Sequence, residues 1–175
     1  MDKVLSITPL GTVSTYCYED KNCPGFLAQY GNHKILLDCG NGISKNLNLP
    51  HDFENLTIII SHLHPDHYGE LLSLAQTSYV YNRLGYLSKR IKVYIPKGDS
   101  VTIDEYYEGS SGWGSTKKVK KNLIDYDYLL SLEKISFFEF IPYNHSDILT
   151  LDDLDIRFMK NPHPITTYST KLETE

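Results

Sequence analysis

Three histidines and an aspartate fall within six consecutive residues of this 175-residue chain: His62, His64, Asp66 and His67, in the run Ser61-His62-Leu63-His64-Pro65-Asp66-His67. Imidazole and carboxylate together suit zinc, and also manganese or iron. Residues two apart on extended backbone point the same way, so His62 and His64 can converge on one ion. Pro65 turns the chain away, and Asp66 and His67 can then face a second ion from a loop or the first turn of a helix. An isolated histidine is more often a structural or surface residue. Four donors in this pattern read as a metal site.

The elements that position this run are legible on either side of it. Residues 56–60, Leu-Thr-Ile-Ile-Ile, form a continuous, mostly β-branched stretch, the pattern of a strand buried on both faces. The histidines therefore sit at a strand's carboxyl end, where α/β proteins commonly bind ligands. After them, Leu71, Leu72, Leu74, Ala75 and Tyr79 recur at helical spacing. Upstream, a strand is expected at 4–9, and two more at 26–30 and 34–38, joined by the hairpin signal Gly31-Asn32. A short helix is expected at 43–47. Downstream, the pattern predicts a strand at 91–95 closed by Pro96 and a loop at 108–115 with Trp113 at its tip. A helix over 117–134, a strand at 135–141, a hairpin around Asp152-Asp153 and an extended segment at 165–172 follow. Early hairpins and later strands alternating with helices give an α/β layered architecture.

Composition is that of an ordinary globular domain, 41% hydrophobic and 22% charged. The length suits one domain over 1–175. A net charge of −5 argues against a broad nucleic-acid-coating face, and the lysines at 117, 118, 120 and 121 read as a solvated face. Cys17, Cys23 and Cys39 are odd in number and lack paired spacing, so no disulfide framework is expected. No apolar run is long enough for a signal peptide or a membrane span, which makes the cytoplasm the default location.

The run at 61–67 resembles the His-x-His-x-Asp-His signature of the metallo-β-lactamase-fold hydrolases. Leu37-Asp38-Cys39-Gly40 resembles that family's earlier strand ending in Asp-x-Gly. Leu10-Gly11-Thr12 resembles the opening of its RNase Z-like branch. Pro162-His163-Pro164 resembles the next histidine ligand, and Thr167 to Glu173 the strand after it. The resemblance runs through nearly the whole chain. It implies an αββα sandwich in which His62, His64 and His163 hold a first metal and Asp66 and His67 contribute to a second. Asp38 would brace the loop by hydrogen bonding. One or two zinc ions are implied, with manganese or iron as alternatives. The implied reaction is hydrolysis by metal-activated water, with Asp66 orienting or deprotonating that water. The implied substrate is a small-molecule or nucleotide-type ester, a phosphodiester above all; nucleic acid belongs to the branch but is not supported by the charge.

One part of the family pattern is missing. After His163 the family supplies a bridging aspartate and a final histidine, and neither has a candidate among the residues that follow. The sandwich is therefore expected to be incomplete in its C-terminal half. An exposed apolar face would then favour homo-oligomers. The alternative to a working hydrolase is a truncated or degenerate module that binds metal without turnover.

Overall fold

The computed structural model describes residues 3–97, 100–108, 114–122 and 126–174. Strands β1 (Ser6–Gly11), β2 (Gly25–Tyr30) and β3 (His33–Leu37) run antiparallel, and Tyr30 pairs with His33 across Gly31-Asn32. Gly31 takes φ +55, a conformation a Cβ would strain. The expected first strand, 4–9, is thus found two residues later. The helix expected at 43–47 is a single 3-10 turn, Ser44–Asn46.

β4 (Leu56–Ile59) joins β3 in parallel, and all four of its residues are buried. α1 (Pro65–Tyr68) follows, with Pro65 at its first turn, where a missing N–H costs nothing. α2 (Leu71–Arg83) buries Leu71, Leu74, Ala75 and Ser78. β5 (Ile91–Pro96) pairs in parallel with β4.

The largest departure from expectation lies beyond β5. β6 (Ser100–Glu108) and β7 (Gly114–Asn122) form an antiparallel two-stranded sheet of their own. Lys117, Lys118, Lys120 and Lys121 therefore lie on a strand, not on the helix expected over 117–134, and only α3 (Tyr126–Ser131) and a 3-10 turn remain of it. Both ends of the expected loop at 108–115 are strand; Trp113 and the tip lie outside the described residues.

β8 (Phe138–Tyr143) then pairs in parallel with β5, completing a six-stranded sheet in the order β1-β2-β3-β4-β5-β8. β9 (Ile148–Leu151), β10 (Leu154–Lys160) and β11 (Tyr168–Thr174) form a second, antiparallel sheet, with the expected hairpin turning at Asp152-Asp153.

Strand alternation divides the core in two. On one face of the large sheet Leu36, Ile58, Ile60, Val93 and Ile95 pack against α2 and the segment carrying Leu129 and Leu132. On the other, Ala28, Ile35, Ile59 and Tyr143 meet Leu154, Ile156, Phe158 and Tyr168 of the second sheet. Each fully buried aliphatic side chain contributes about 1.5–3 kcal/mol. The layers are therefore helices, six-stranded sheet and three-stranded sheet. Among the described residues no helix is long and apolar enough to cross a membrane.

Candidate metal centre

The site is built where β3 and β4 end side by side. The amide of Asp38 donates to Ile59 O (2.8 Å), and the buried hydroxyl of Tyr143 donates to Ile60 O (2.8 Å), so the strand end is held from both sides. Asp38 then turns with φ 63, in the left-handed region that aspartate tolerates better than most residues. That turn aims its carboxylate at the histidine loop. Oδ1 accepts the Ser61 amide at 2.7 Å, and Oδ2 accepts the Ser61 hydroxyl at 2.9 Å and the Nδ1–H of His67 at 2.8 Å.

This network sets the proton positions on two rings. The hydroxyl of Ser61 is donated to Asp38, so the Nδ1 of His62, 3.0 Å from that oxygen, is the donor in their contact. His62, neutral, thus places its proton on Nδ1 and turns a bare Nε2 outward, whereas in His67 the contact fixes a proton on Nδ1. The Nε2 of His62 lies 3.1 Å from the Nδ1 of His64. Gly40 lets α1 approach: a Cβ there would collide with the carbonyl oxygen of Asp66 and with Cys23. The amide of Cys39 donates to His67 O (2.7 Å) and locks the approach.

His163 arrives from the second sheet. Its loop is closed by Asn161 N donating to Thr167 O (2.9 Å), and it is tied to the metal loop by Tyr168 N donating to Ser61 O (3.0 Å). The His163 ring centroid is 4.8 Å from that of His62 and 4.9 Å from that of His64. One nitrogen from each of His62, His64 and His163 falls within 4.8 Å of the others. His62 is buried, His64 half-buried and His163 exposed, so the cluster opens to solvent on the His163 side.

Asp66 and His67 stand beside this triad. The Nε2 of His67 is 3.6 Å from Asp66 Oδ2, which also accepts the Thr15 amide at 2.9 Å. Burial disfavours the carboxylate of Asp66, but the Thr15 amide and the neighbouring His67 outweigh it and hold the pKa below the usual range. Burial likewise works against a charged His67, and the hydrogen bond and charge of Asp38 outweigh it and raise that pKa. His62 is pushed down to about 3 by burial and by His67, His64 and His163. His64 is lowered by burial and by His163.

All six residues singled out from the sequence come together here. Ser61, the Thr15 amide and Tyr143 were not singled out. Ser61 lies inside the motif, but its task depends on the left-handed turn at Asp38, which no local pattern announces. Of the other histidines, His51 and His145 are exposed, and His33 sits 3.2 Å from Asp152 Oδ2.

The profile of the family described as Anti-Pycsar protein Apyc1 matches residues 5–174. The chain belongs to the Anti-Pycsar Apyc1 family. One Apyc1 relative, from Bacillus phage 010DV004, is 25% identical over 143 residues, 78% of this chain and 53% of that protein. Ribonuclease Z of Methanopyrus kandleri is 24% identical over 178 residues, 99% of this chain and 52% of that protein. The metallo-β-lactamase-fold protein YhfI of Bacillus subtilis superimposes with a TM-score of 0.73 at 22% identity, covering 98% of this chain and 59% of that one. This Apyc1-family chain thus has the metallo-β-lactamase fold, is RNase Z-like, and resembles metal-dependent hydrolases. It spans about half the length of these relatives.

Proposed function

We propose that this chain is a metal-dependent hydrolase acting on a phosphodiester or related ester, with zinc held by His62, His64 and His163. The observation that carries the reading is the convergence of these three nitrogens within 4.8 Å. The donor set fits the metal. Burial and neighbouring rings hold the pKa of His62 and His64 low, so both are neutral near pH 7, as ligation requires. Asp38 and Ser61 fix the ring of His62 as outer hydrogen-bond partners of a metal ligand do. Manganese or iron would suit the same set less selectively.

When bound, a divalent cation there supplies Lewis-acid polarisation of the ester and a lowered water pKa. The chain's own groups do the rest. His62, His64 and His163 orient the site. Asp66, kept ionised by the Thr15 amide and by His67, orients the attacking water and takes its proton. His67 and Asp66 also offer two donors to a second, weaker cation. The name ribonuclease Z among the relatives supports the phosphodiester class. A net charge of −5 favours a small or nucleotide-type ester over a polyanionic chain.

The test joins metal analysis to turnover. The purified chain is dialysed, its zinc content measured, and hydrolysis of bis(p-nitrophenyl) phosphate followed for it and for His62→Ala. Bound zinc with turnover, both lost in the variant, is expected. Zinc without turnover would favour the second reading, a metal-binding module without catalysis. That reading draws on the two-residue second site. Absence of bound metal would overturn both.

A further inference from the structure

Outside the histidine cluster, two thiols meet. The Sγ of Cys17 lies 3.3 Å from the Sγ of Cys23, and the remaining cysteine, Cys39, is buried elsewhere in the core. The two have opposite environments. Cys17 is exposed on the 12–22 loop and donates to Asn41 O at 2.8 Å. Cys23 is fully buried, its amide bonded to the same Asn41 carbonyl at 3.0 Å, with Gly11 and Gly40 packed so closely on it that neither can carry a side chain. Cys23 is therefore a fixed anchor and Cys17 an accessible partner on a loop.

We propose that Cys17 and Cys23 form a redox-active dithiol, closed to a disulfide by a two-electron oxidant such as a peroxide or a small-molecule disulfide. With peroxide, the Cys17 sulfur attacks an oxygen, breaking the O–O bond and giving a sulfenic acid and one water. The Cys23 sulfur then attacks the Cys17 sulfur. The S–S bond forms, the S–O bond breaks, and the hydroxyl leaves with the Cys23 proton as a second water. Two thiols lose two electrons and two protons; one peroxide becomes two waters. The order follows from access. Cys17 meets solvent first, whereas burial and the contact with Cys17 push the Cys23 thiol up to about 11.

The pair is coupled to the candidate metal centre through two residues of chain. Thr15, at φ 73, places its amide on Asp66 Oδ2. Closing the sulfurs from 3.3 Å to a bond of about 2.05 Å draws the loop inward and pins that amide. The dithiol stands without the metal reading, and its test uses no metal.

The full chain is treated with hydrogen peroxide, or separately with glutathione disulfide, then unfolded, alkylated and cut with trypsin without reductant. Cleavage after Lys21 separates the two cysteines unless they are bonded. A Cys17–Cys23 linked peptide, about 2 Da lighter than its reduced parts and released by dithiothreitol, is expected. Exchange of the Thr15 amide should slow about tenfold or more in the oxidised protein, and Cys17→Ser, an exposed change, should abolish both effects. Cys17 recovered as a sulfinic acid or a glutathione adduct with Cys23 still alkylated would overturn the proposal. So would a linked peptide containing Cys39.

Discussion

Asp38 touches His67 directly and His62 only through Ser61, and that difference can be measured. Removing the Ser61 hydroxyl leaves the Nδ1 proton of His62 without its acceptor while the direct Asp38–His67 bond stands. Ser61→Ala should weaken zinc binding about 10- to 100-fold, as loss of an outer hydrogen-bond partner typically does, and Ser61→Thr should restore most of it. Competition with a chromogenic chelator reads both; equal affinity in the alanine variant would show that the hydroxyl does not orient the ring. A second residue acts on stability. Tyr143→Phe leaves the buried Ile60 carbonyl without its partner and should cost about 1–3 kcal/mol in urea unfolding. Within the site, the motif residues were legible because their chemistry is local. His163 was legible only by resemblance: an exposed histidine between two prolines carries no sign that it meets His62 across two sheets.

At the scale of elements, period-two patterns served well and the long helix at 117–134 did not. β4 was readable because a strand buried on both faces writes itself as an apolar run. β7 was not, because its partner is β6, and pairing between distant segments is invisible to a local window. The backbone register pairs Lys117 with Glu105 and Lys118 with Asp104, whereas Lys120 and Lys121 pair with Thr102 and Val101. With a net charge of −5, weak or no tRNA binding at physiological salt is expected from a filter-binding titration, and tight, salt-sensitive binding would contradict it. The approach of α1 to the turn after β3 yields another expectation. Gly40→Ala would press a methyl into the Asp66 carbonyl and Cys23, costing about 1–3 kcal/mol and weakening metal binding at the proposed centre. Thermal melts together with metal content check it.

For the whole molecule, most strands of the large sheet were legible in local pattern and the layered sandwich by resemblance, whereas the β6–β7 sheet and the contact between sheets that completes the triad had no local sign. As proposed above, the triad would hold one ion unaided. The second position has only Asp66 and His67 among the described residues, fewer than the three or more donors of a well-held ion. Dialysed protein should keep about one zinc per chain, and two firmly held equivalents on elemental analysis would show that further residues complete the second position.

The meeting of His62 and His163 has a topological meaning as well. The two lie 101 positions apart in the chain, one on the loop after β4 of the large sheet and the other on the loop between β10 and β11 of the second. An ion shared between them, as proposed, is a cross-link that closes a very large ring. By the chain-entropy argument, a ring of about 100 residues held shut removes enough freedom from the unfolded ensemble to be worth about 4–5 kcal/mol. The ion would then be a rivet between layers, and stripping it with a chelator should lower Tm on the order of 10 °C. His163→Ala should melt at the stripped temperature with or without added zinc, since one end of the rivet is gone.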